Sequence, residues 1–338
     1  MYYTGIDLHK KTCFITTVDE TGKIVRKAQL QNVPEWIMAY FDQLKEQTKV
    51  VIESMASWYW LYDLLKEKGF DVVISHPAKT KAIASAKISN DRMDSRMLAQ
   101  LLRAELIATI HVSSLRVREL KELLRHRHRL VHDSTRMKNR IHMLLMKNNC
   151  QVPCRDLFGL RGLKYLKEVA LPHYHRAQVD TYLNLSMHLQ EQVESLTTTI
   201  HHLVKGHALA QLLMTTPGIG PITALFIIAE VEDISRFPSY RHLASYVGVV
   251  PSLDASGGKE RRGHITKQGS PYLRTVLIES AQSIARARKR RLNIFFRKRL
   301  IRSGYQKAIV ATAHKLVQYV FYVWKNQTPY REHYSLCA

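Results

Sequence analysis

The sequence has no long apolar run. Its longest uncharged hydrophobic stretches, such as Ala224 to Ala229 and Leu316 to Trp324, fall far short of the roughly 20 residues that a bilayer-spanning helix needs. No membrane span is expected. Cysteines are few, at 13, 150, 154 and 337. They form no CxxC pair and no framework of the kind secreted chains use, so a reducing cytosol, and a cytoplasmic protein, is the expectation. The opening Met1-Tyr-Tyr-Thr-Gly-Ile-Asp7 lacks a cationic segment followed by an apolar one, so no secretory signal is expected. Acids are scarce as well, 28 against 51 Lys plus Arg, which leaves a net charge of +23 before any of the 17 histidines is counted. An excess of that size points to a polyanionic partner. What is present is 338 residues, 46% of them hydrophobic: enough for about two domains and too apolar for wholesale disorder.

The charge is unevenly placed. Residues 1–111 carry a net +2, residues 112–206 carry +8 and residues 207–338 carry +13, and these composition shifts serve as expected domain boundaries. A nearly neutral, carboxylate-bearing segment joined to a polyanion-binding body suits a metal-dependent enzyme acting on nucleic acid.

Tyr2 to Asp7, Thr12 to Val18 and Ile24 to Leu30 read as three consecutive antiparallel strands, with a turn at Glu20-Thr-Gly22. Helical patterns over Pro34 to Gln47 and Trp58 to Lys68 then alternate with strands at Lys49 to Glu53 and Phe70 to Ser75, a further helix follows Pro77, and Asp91 to Ala108 is amphipathic. This is an α/β layout with a mixed sheet. Residues 115–149 contain no Gly or Pro and predict one long helix. A second shows Leu185, Leu189, Val193, Leu196, Ile200 and Leu203 at the steps of a coiled-coil seam. The run Arg125-His-Arg-His-Arg129 on the first of them reads either as a solvated face or as an RNA or DNA contact. Residues 207–338 are mostly helical, interrupted by a Gly/Ser/Lys-rich loop from Pro251 to Pro271.

Four acids form a pattern. Asp7 and Glu53 close predicted strands, and Asp91 and Asp94 lie three apart at a helix start, on one face. Singly, an acid in a first helical turn is accounted for by the macrodipole. Jointly, an acid on the first strand, one on the fourth strand and a pair on a following helix is the layout of ribonuclease-H-like nucleases. All-oxygen donors favour a hard ion such as Mg²⁺.

Thr216-Pro-Gly218-Ile-Gly220 joins two helical patterns. It reads either as a helix-hairpin-helix-like turn whose backbone amides meet phosphate or as a plain tight turn. Farther on, Ser256 precedes two glycines among Lys259, Arg261, Arg262, His264, Lys267 and Arg274. A hydroxyl nucleophile amid phosphate-holding cations is one reading. On residue type alone a turn-forming serine fits better, and spacing identifies no general base for it.

With these residues in hand, the chain resembles the DEDD-type transposases of bacterial insertion sequences, a family that includes bridge-RNA-guided serine recombinases. The resemblance spans essentially the whole chain. Tyr3-Thr-Gly-Ile-Asp7, Val51-Ile-Glu53 and Asn90-Asp-Arg-Met-Asp94 carry it in the first third. Thr216 to Gly220, Tyr246-Val-Gly-Val-Val-Pro251, Ser256-Gly-Gly-Lys259 and Ile265-Thr-Lys-Gln-Gly269 carry it in the last. Departures are Ala255, where a second serine is common, and His264, where glycine is frequent.

The resemblance implies a RuvC-like domain over 1–111, a coiled-coil region over 112–206 and a mainly α-helical transposase domain over 207–338. It implies Asp7, Glu53, Asp91 and Asp94 as catalytic metal ligands for Mg²⁺ and Ser256 as the catalytic serine. Gly218, Gly220, Lys259, Arg261, Arg262, Lys267 and Arg274 are the expected nucleic-acid contacts. It further implies donor and target DNA, a structured guide RNA and a homo-oligomer, a dimer or, in the synaptic complex, a tetramer, with one subunit's acids meeting another's serine. Two rival readings are a RuvC-like nuclease or junction resolvase in which Ser256 is incidental, and a non-enzymatic scaffold for structured RNA.

Overall fold

A computed structural model describes residues 1–44, 47–54, 57–77, 79–80, 91–256, 259–287 and 291–331. Its contacts divide the chain into two compact units, Met1–Val112 and Ser113–Ala338.

The first unit is a six-stranded mixed sheet in the order β3-β2-β1-β4-β5-β6. Strands β1 (Tyr2–Leu8), β2 (Thr12–Val18) and β3 (Ile24–Gln31) form an antiparallel meander. Strands β4 (Thr48–Glu53) and β5 (Asp71–Ser75) then extend the sheet in parallel from β1, so the expected three-strand start and crossover units are present. The run Val50-Val51-Ile52 is wholly buried, as a central strand covered on both faces requires. One face carries helices α1 (Pro34–Phe41) and α2 (Tyr59–Glu67), packed over Ile6, Leu8, Ile52 and Ile74. A buried hydroxyl chain helps hold α1 there: Thr4 to Thr17 at 2.6 Å and Thr17 to the Tyr40 hydroxyl at 2.8 Å. The opposite face carries α3 (Asp91–Arg103), whose Leu98 and Leu102 sit on Val51.

Three expectations for this unit change. Helix α1 stops at Phe41 rather than Gln47. Helix α3 stops at Arg103 rather than Ala108, and Glu105 takes a left-handed backbone (φ 57). The chain then adds a two-residue strand β6 (Thr109–Ile110) antiparallel to β5. The helix expected after Pro77 falls largely outside the described residues.

In the second unit, α4 (Leu115–Lys147) and α6 (His173–Lys205) pack on each other. Arg127 bonds Thr197, Ser134 bonds Ser186 and Asn148 bonds His175. As one number rises the other falls, so the two helices run antiparallel. The seam differs from the expected register. Val179, Leu183, Ser186, Val193, Ile200 and Val204 are buried, whereas Leu185 and Leu203 are each 46% exposed. The far end is closed by α5 (Leu160–Glu168), whose Leu166 joins Ile141, Leu145 and Val179.

The main core forms around α8 (Pro221–Val231), buried at every position from Ala224 to Val231. Around it lie α7 (Ala208–Met214), α9 (Tyr240–Val247), α10 (Pro271–Arg286) and α11 (Arg291–Asn326). Gly304 (φ 77, ψ 170) interrupts α11. The segment expected as a loop from Pro251 instead holds a hairpin of β7 (Pro251–Ser256) and β8 (Lys259–Ile265). Gly257-Gly258, outside the described residues, is a dipeptide that two-residue hairpin turns favour. Among the described residues, no helix is long and apolar enough to cross a membrane.

Candidate active site

Two of the four acids are set by the sheet. β1 and β4 are parallel, with Ile6 opposite Ile52, so Asp7 and Glu53 each follow that pair by one residue. They occupy the same level of neighbouring strands, which lie about 4.8 Å apart. Alternation puts Gly5 and Asp7 on one face and Val51 and Glu53 on that same face. It is the face that α3 covers: a Cβ on Gly5 would run into the Ser95 carbonyl and the Ala99 amide, and Thr16, opposite Gly5, bonds Ser95 at 2.9 Å.

The direction of α3 brings in the other two. Gln100 donates to the Gly22 carbonyl at 2.6 Å and Arg103 to the Glu20 carbonyl at 3.1 Å, while the Met1 amine bonds Glu20. The C-terminus of α3 therefore lies at the starting end of β1. Its first turn, with Asp91 and Asp94, points toward the end where Asp7 and Glu53 stand. Asp7 is buried and Asp94 partly exposed. The Asp91 side chain lies outside the described residues. Among the described residues, no three His, Cys, Asp or Glu side chains stand close enough to hold a metal ion. The backbone places Asp7, Glu53 and the first turn of α3 at one end of the sheet, and a meeting of the four side chains stays an expectation. In chemistry the set fits a hard divalent cation, since its donors are carboxylate oxygens.

His9 is a neighbour that sequence reasoning missed. Its Nε2 lies 3.1 Å from Asp7 Oδ2, and Asn32 holds its carbonyl at 2.7 Å. The signal was available in Asp7-Leu-His9, because positions i and i+2 of an extended chain share a face. Opposite Leu8 lies Cys13, whose thiol is pushed up to about 12 by burial and then by the nearby Asp7 charge.

In the second unit, the β7–β8 register places Ser256 opposite Lys259 at the end of the hairpin. The side chains of Ser256, Lys259 and Arg262 lie outside the described residues. Arg261 and Lys267 are exposed, and Lys267 has a left-handed backbone (φ 54). Arg274 turns inward at one nitrogen, its Nη1 donating to the Val247 and Gln268 carbonyls at 3.2 and 3.4 Å. The base of the hairpin is tight. A Cβ on Gly248 would meet the Gln268 backbone, and one on Gly269 would meet the Tyr246 carbonyl. The two glycines, with φ of 77 and 79, let the segment before β7 lie directly on the segment after β8.

Gly218 and Gly220 form the turn between α7 and α8. Gly218 (φ 81) has its Cα against Ser280 and Ile284 of α10, and Gly220 caps α8 ahead of Pro221. The turn's glycine requirement at 218 is therefore met by helix packing as well as by backbone conformation.

Residues 4–148 match the family model of the DEDD transposase domain of IS110-type elements, and residues 210–296 match that of the transposase IS116/IS110/IS902 family. Together the two matches take in about two thirds of the chain. The transposase for insertion sequence element IS1111A of Coxiella burnetii is 25% identical, over 97% of this chain and 90% of that one. A probable family 20 transposase of Pseudomonas aeruginosa is 25% identical, over 97% and 98%. The transposase for insertion sequence element IS1328 of Yersinia enterocolitica is 24% identical, over 82% of each. A mixed sheet with acids at one end, followed by a mostly helical body, together with these matches defines a DNA-cleaving and recombining enzyme, a transposase. The chain belongs to the IS110/IS116 family of insertion-sequence transposases.

Proposed function

We propose that this transposase exchanges DNA strands through a serine-linked intermediate, with Asp7, Glu53, Asp91 and Asp94 as the carboxylate set and Ser256 as the nucleophile. The observation that carries the reading is the placement of Asp7 and Glu53 at one level of adjacent parallel strands, with the first turn of α3 at the same end. Four carboxylates so placed repel one another unless a cation joins them, and they would hold Mg²⁺. When bound, that ion supplies charge neutralisation at the attacked phosphate.

The Ser256 hydroxyl attacks phosphorus, its Oγ–P bond forming as one bridging P–O bond breaks. The deoxyribose oxygen departs and takes up a proton, while the hydroxyl proton goes to solvent. The covalent ester conserves the bond energy that hydrolysis would dissipate, so the exchanged strand's hydroxyl reverses the step and frees Ser256. Arg261 and Lys267, both exposed, would neutralise charge on the phosphate oxygens. In the resemblance this site is composite, one subunit's acids acting with another's serine in a homo-oligomer, and a structured guide RNA selects donor and target. The basic excess of residues 112–338 supports binding to both nucleic acids.

The test is a trapped reaction on end-labelled DNA. Wild-type protein is expected to carry labelled DNA on a peptide spanning residues 252–261. Ser256→Ala is expected to bind DNA and form no adduct. Metal-dependent cutting without any adduct selects the nuclease reading instead.

A further inference from the structure

The second unit contains a cationic track that the strand-exchange reading does not use. A cleft of about 410 Å³ lies between α4 and the first turns of α10, lined by His128, Arg129, His132 and Arg136 from α4 and by Tyr272 and Thr275 from α10. Arg136 also lines a second cleft, of about 500 Å³, which continues along α4 against α6 past Arg140, Lys147, Gln178 and Tyr182.

The spacing of the cations is informative. Arg129, Arg136, Arg140 and Lys147 follow one another at 7, 4 and 7 residues. At about 100° per residue these steps keep all four within about 40° of one line, and the row is about 27 Å long. A seam-facing stripe would be apolar; this one is exposed at each cation. The acids beside it are few. Asp133 bonds Arg136 at 2.9 Å and Glu122 reaches Arg129 at 3.4 Å, both at an exposed surface where water and salt screen such pairs. The Arg140 guanidinium lies 5.3 Å from the centre of the Tyr182 ring, and both line the second cleft.

The upper cleft adds aromatic faces and titratable rings. His128 and His132 stand 4.5 Å apart, His128 lies 5.3 Å from Tyr272, and Tyr272 stacks on Phe226. Burial, then His132 and Arg127, pull the His128 pKa down. The other groups around the pair are Arg129, Asp133 and Arg136 on α4, Thr275 and Glu279 on α10 and Phe226 on α8. An anion in this cleft opposes the pull of the neighbouring cations on the His128 ring.

We propose that the groove along α4, from His128 to Lys147, docks the phosphodiester backbone of a nucleic-acid strand, with its upper cleft taking a phosphate beside the His128/His132 pair. A row of forked guanidiniums matches successive phosphates. The track is long enough for several of them at one charge per about 3.4 Å of strand, and aromatic faces beside it suit an unpaired base. An acidic peptide would use the charges and the forks but not the rings, which suit a base. Binding beside the histidine pair is coupled to proton uptake by His128, so affinity rises as the pH falls. The proposal rests on the reading that this protein works on nucleic acid.

The experiment measures binding of labelled single-stranded RNA, single-stranded DNA and duplex DNA to the full chain between about 50 and 200 mM salt. For R129Q/R136Q/R140Q, the salt slope for at least one of the three is expected to fall by about 2 to 3, with tenfold or greater weakening. Which of the three loses affinity identifies the strand. For R161Q/K164Q/K167Q, which removes equal charge from exposed positions of α5, the slope is expected to change by less than about 1. H128Q/H132Q is expected to flatten the difference in affinity between about pH 5.5 and pH 8. Displacement by polyglutamate as effective as by polyuridylate at equal charge assigns the groove to a protein and overturns the proposal. So does an unchanged slope in R129Q/R136Q/R140Q, or equal losses in the α5 variant, while wild type still binds; the broader reading then stands. Failure of wild type to bind any of the three overturns both.

Discussion

Asp7 and Glu53 stand side by side on β1 and β4, each one residue beyond the paired Ile6 and Ile52. The relationship is made by strand register, so it does not depend on either side chain's partner. Asp7→Asn and Glu53→Gln keep the shape and remove the charge. Each is expected to leave the melting temperature within a few degrees of wild type and to lower strand exchange by at least about 100-fold, the loss of several kcal/mol of charge stabilisation. Exchange assays alongside thermal melts check this, and near-normal exchange by the double variant would overturn the assignment.

Gly5 sets how closely α3 lies on the sheet. Gly5→Ala pushes a methyl group into the Ser95 carbonyl and the Ala99 amide, both backbone. A loss of about 2 to 3 kcal/mol in stability is expected, read from chemical denaturation, and strand exchange should fall with it because Asp94 shifts with the helix.

Glu230 is buried on α8 and pairs with Arg125 at 2.8 Å. Arg125 in turn lies 5.3 Å over the Tyr272 ring. Glu230→Ala is expected to destabilise the protein by about 3 kcal/mol, the lower end for a broken buried pair because Arg125 keeps some access to water. Urea unfolding measures it, and the double variant with Arg125→Met should recover part of the loss.

Cys13 and Tyr40 set an alkaline limit. Burial pushes both groups up to about 12, whereas in the unfolded chain they ionise near their ordinary values. The folded state therefore binds more protons than the unfolded state above about pH 9, and stability falls as pH rises from there toward 12. Each group contributes up to about 1.4 kcal/mol per pH unit once its unfolded form is ionised. Denaturation midpoints at about pH 8, 9.5 and 10.5 should fall progressively, and Cys13→Ala should soften the first part of the decline. In the folded protein at about pH 8, alkylation is expected at Cys154 and absent at Cys13, whose thiol is protonated and covered.

The sheet was legible in the sequence because its central strands are short apolar runs bounded by turns and helical periods. Asp7 and Glu53 were legible for the same reason: each sits where such a run ends, whereas Asp91 and Asp94 were marked by their three-residue spacing at a helix start. The α4–α6 seam was harder to place. Its buried line includes Ser134 against Ser186 at 3.2 Å, and a search for apolar heptads slides past a serine to Leu185 and Leu203, which face outward. Strand β6 has two residues and leaves no periodicity to detect. The hairpin carried its Gly-Gly signal, but the surrounding charge masked the alternation that would mark strands. The Asp7–His9 pair rests on a single i, i+2 spacing, which any two residues so spaced along an extended chain share.

Gly248 and Gly269 clamp the base of the β7–β8 hairpin, and its outer end is the Ser256/Lys259 pair. Six residues of strand reach about 20 Å from that clamp, so the hairpin is a lever with a fixed fulcrum. A tilt of about 5° at the fulcrum displaces the outer end by about 1.7 Å, more than the roughly 1 Å misplacement that can slow a reaction about 100-fold. Alanine at Gly248 or Gly269 would thus change the aim of a residue it never touches. Substitutions at the foot of the arm should register as lost turnover with nucleic-acid affinity preserved.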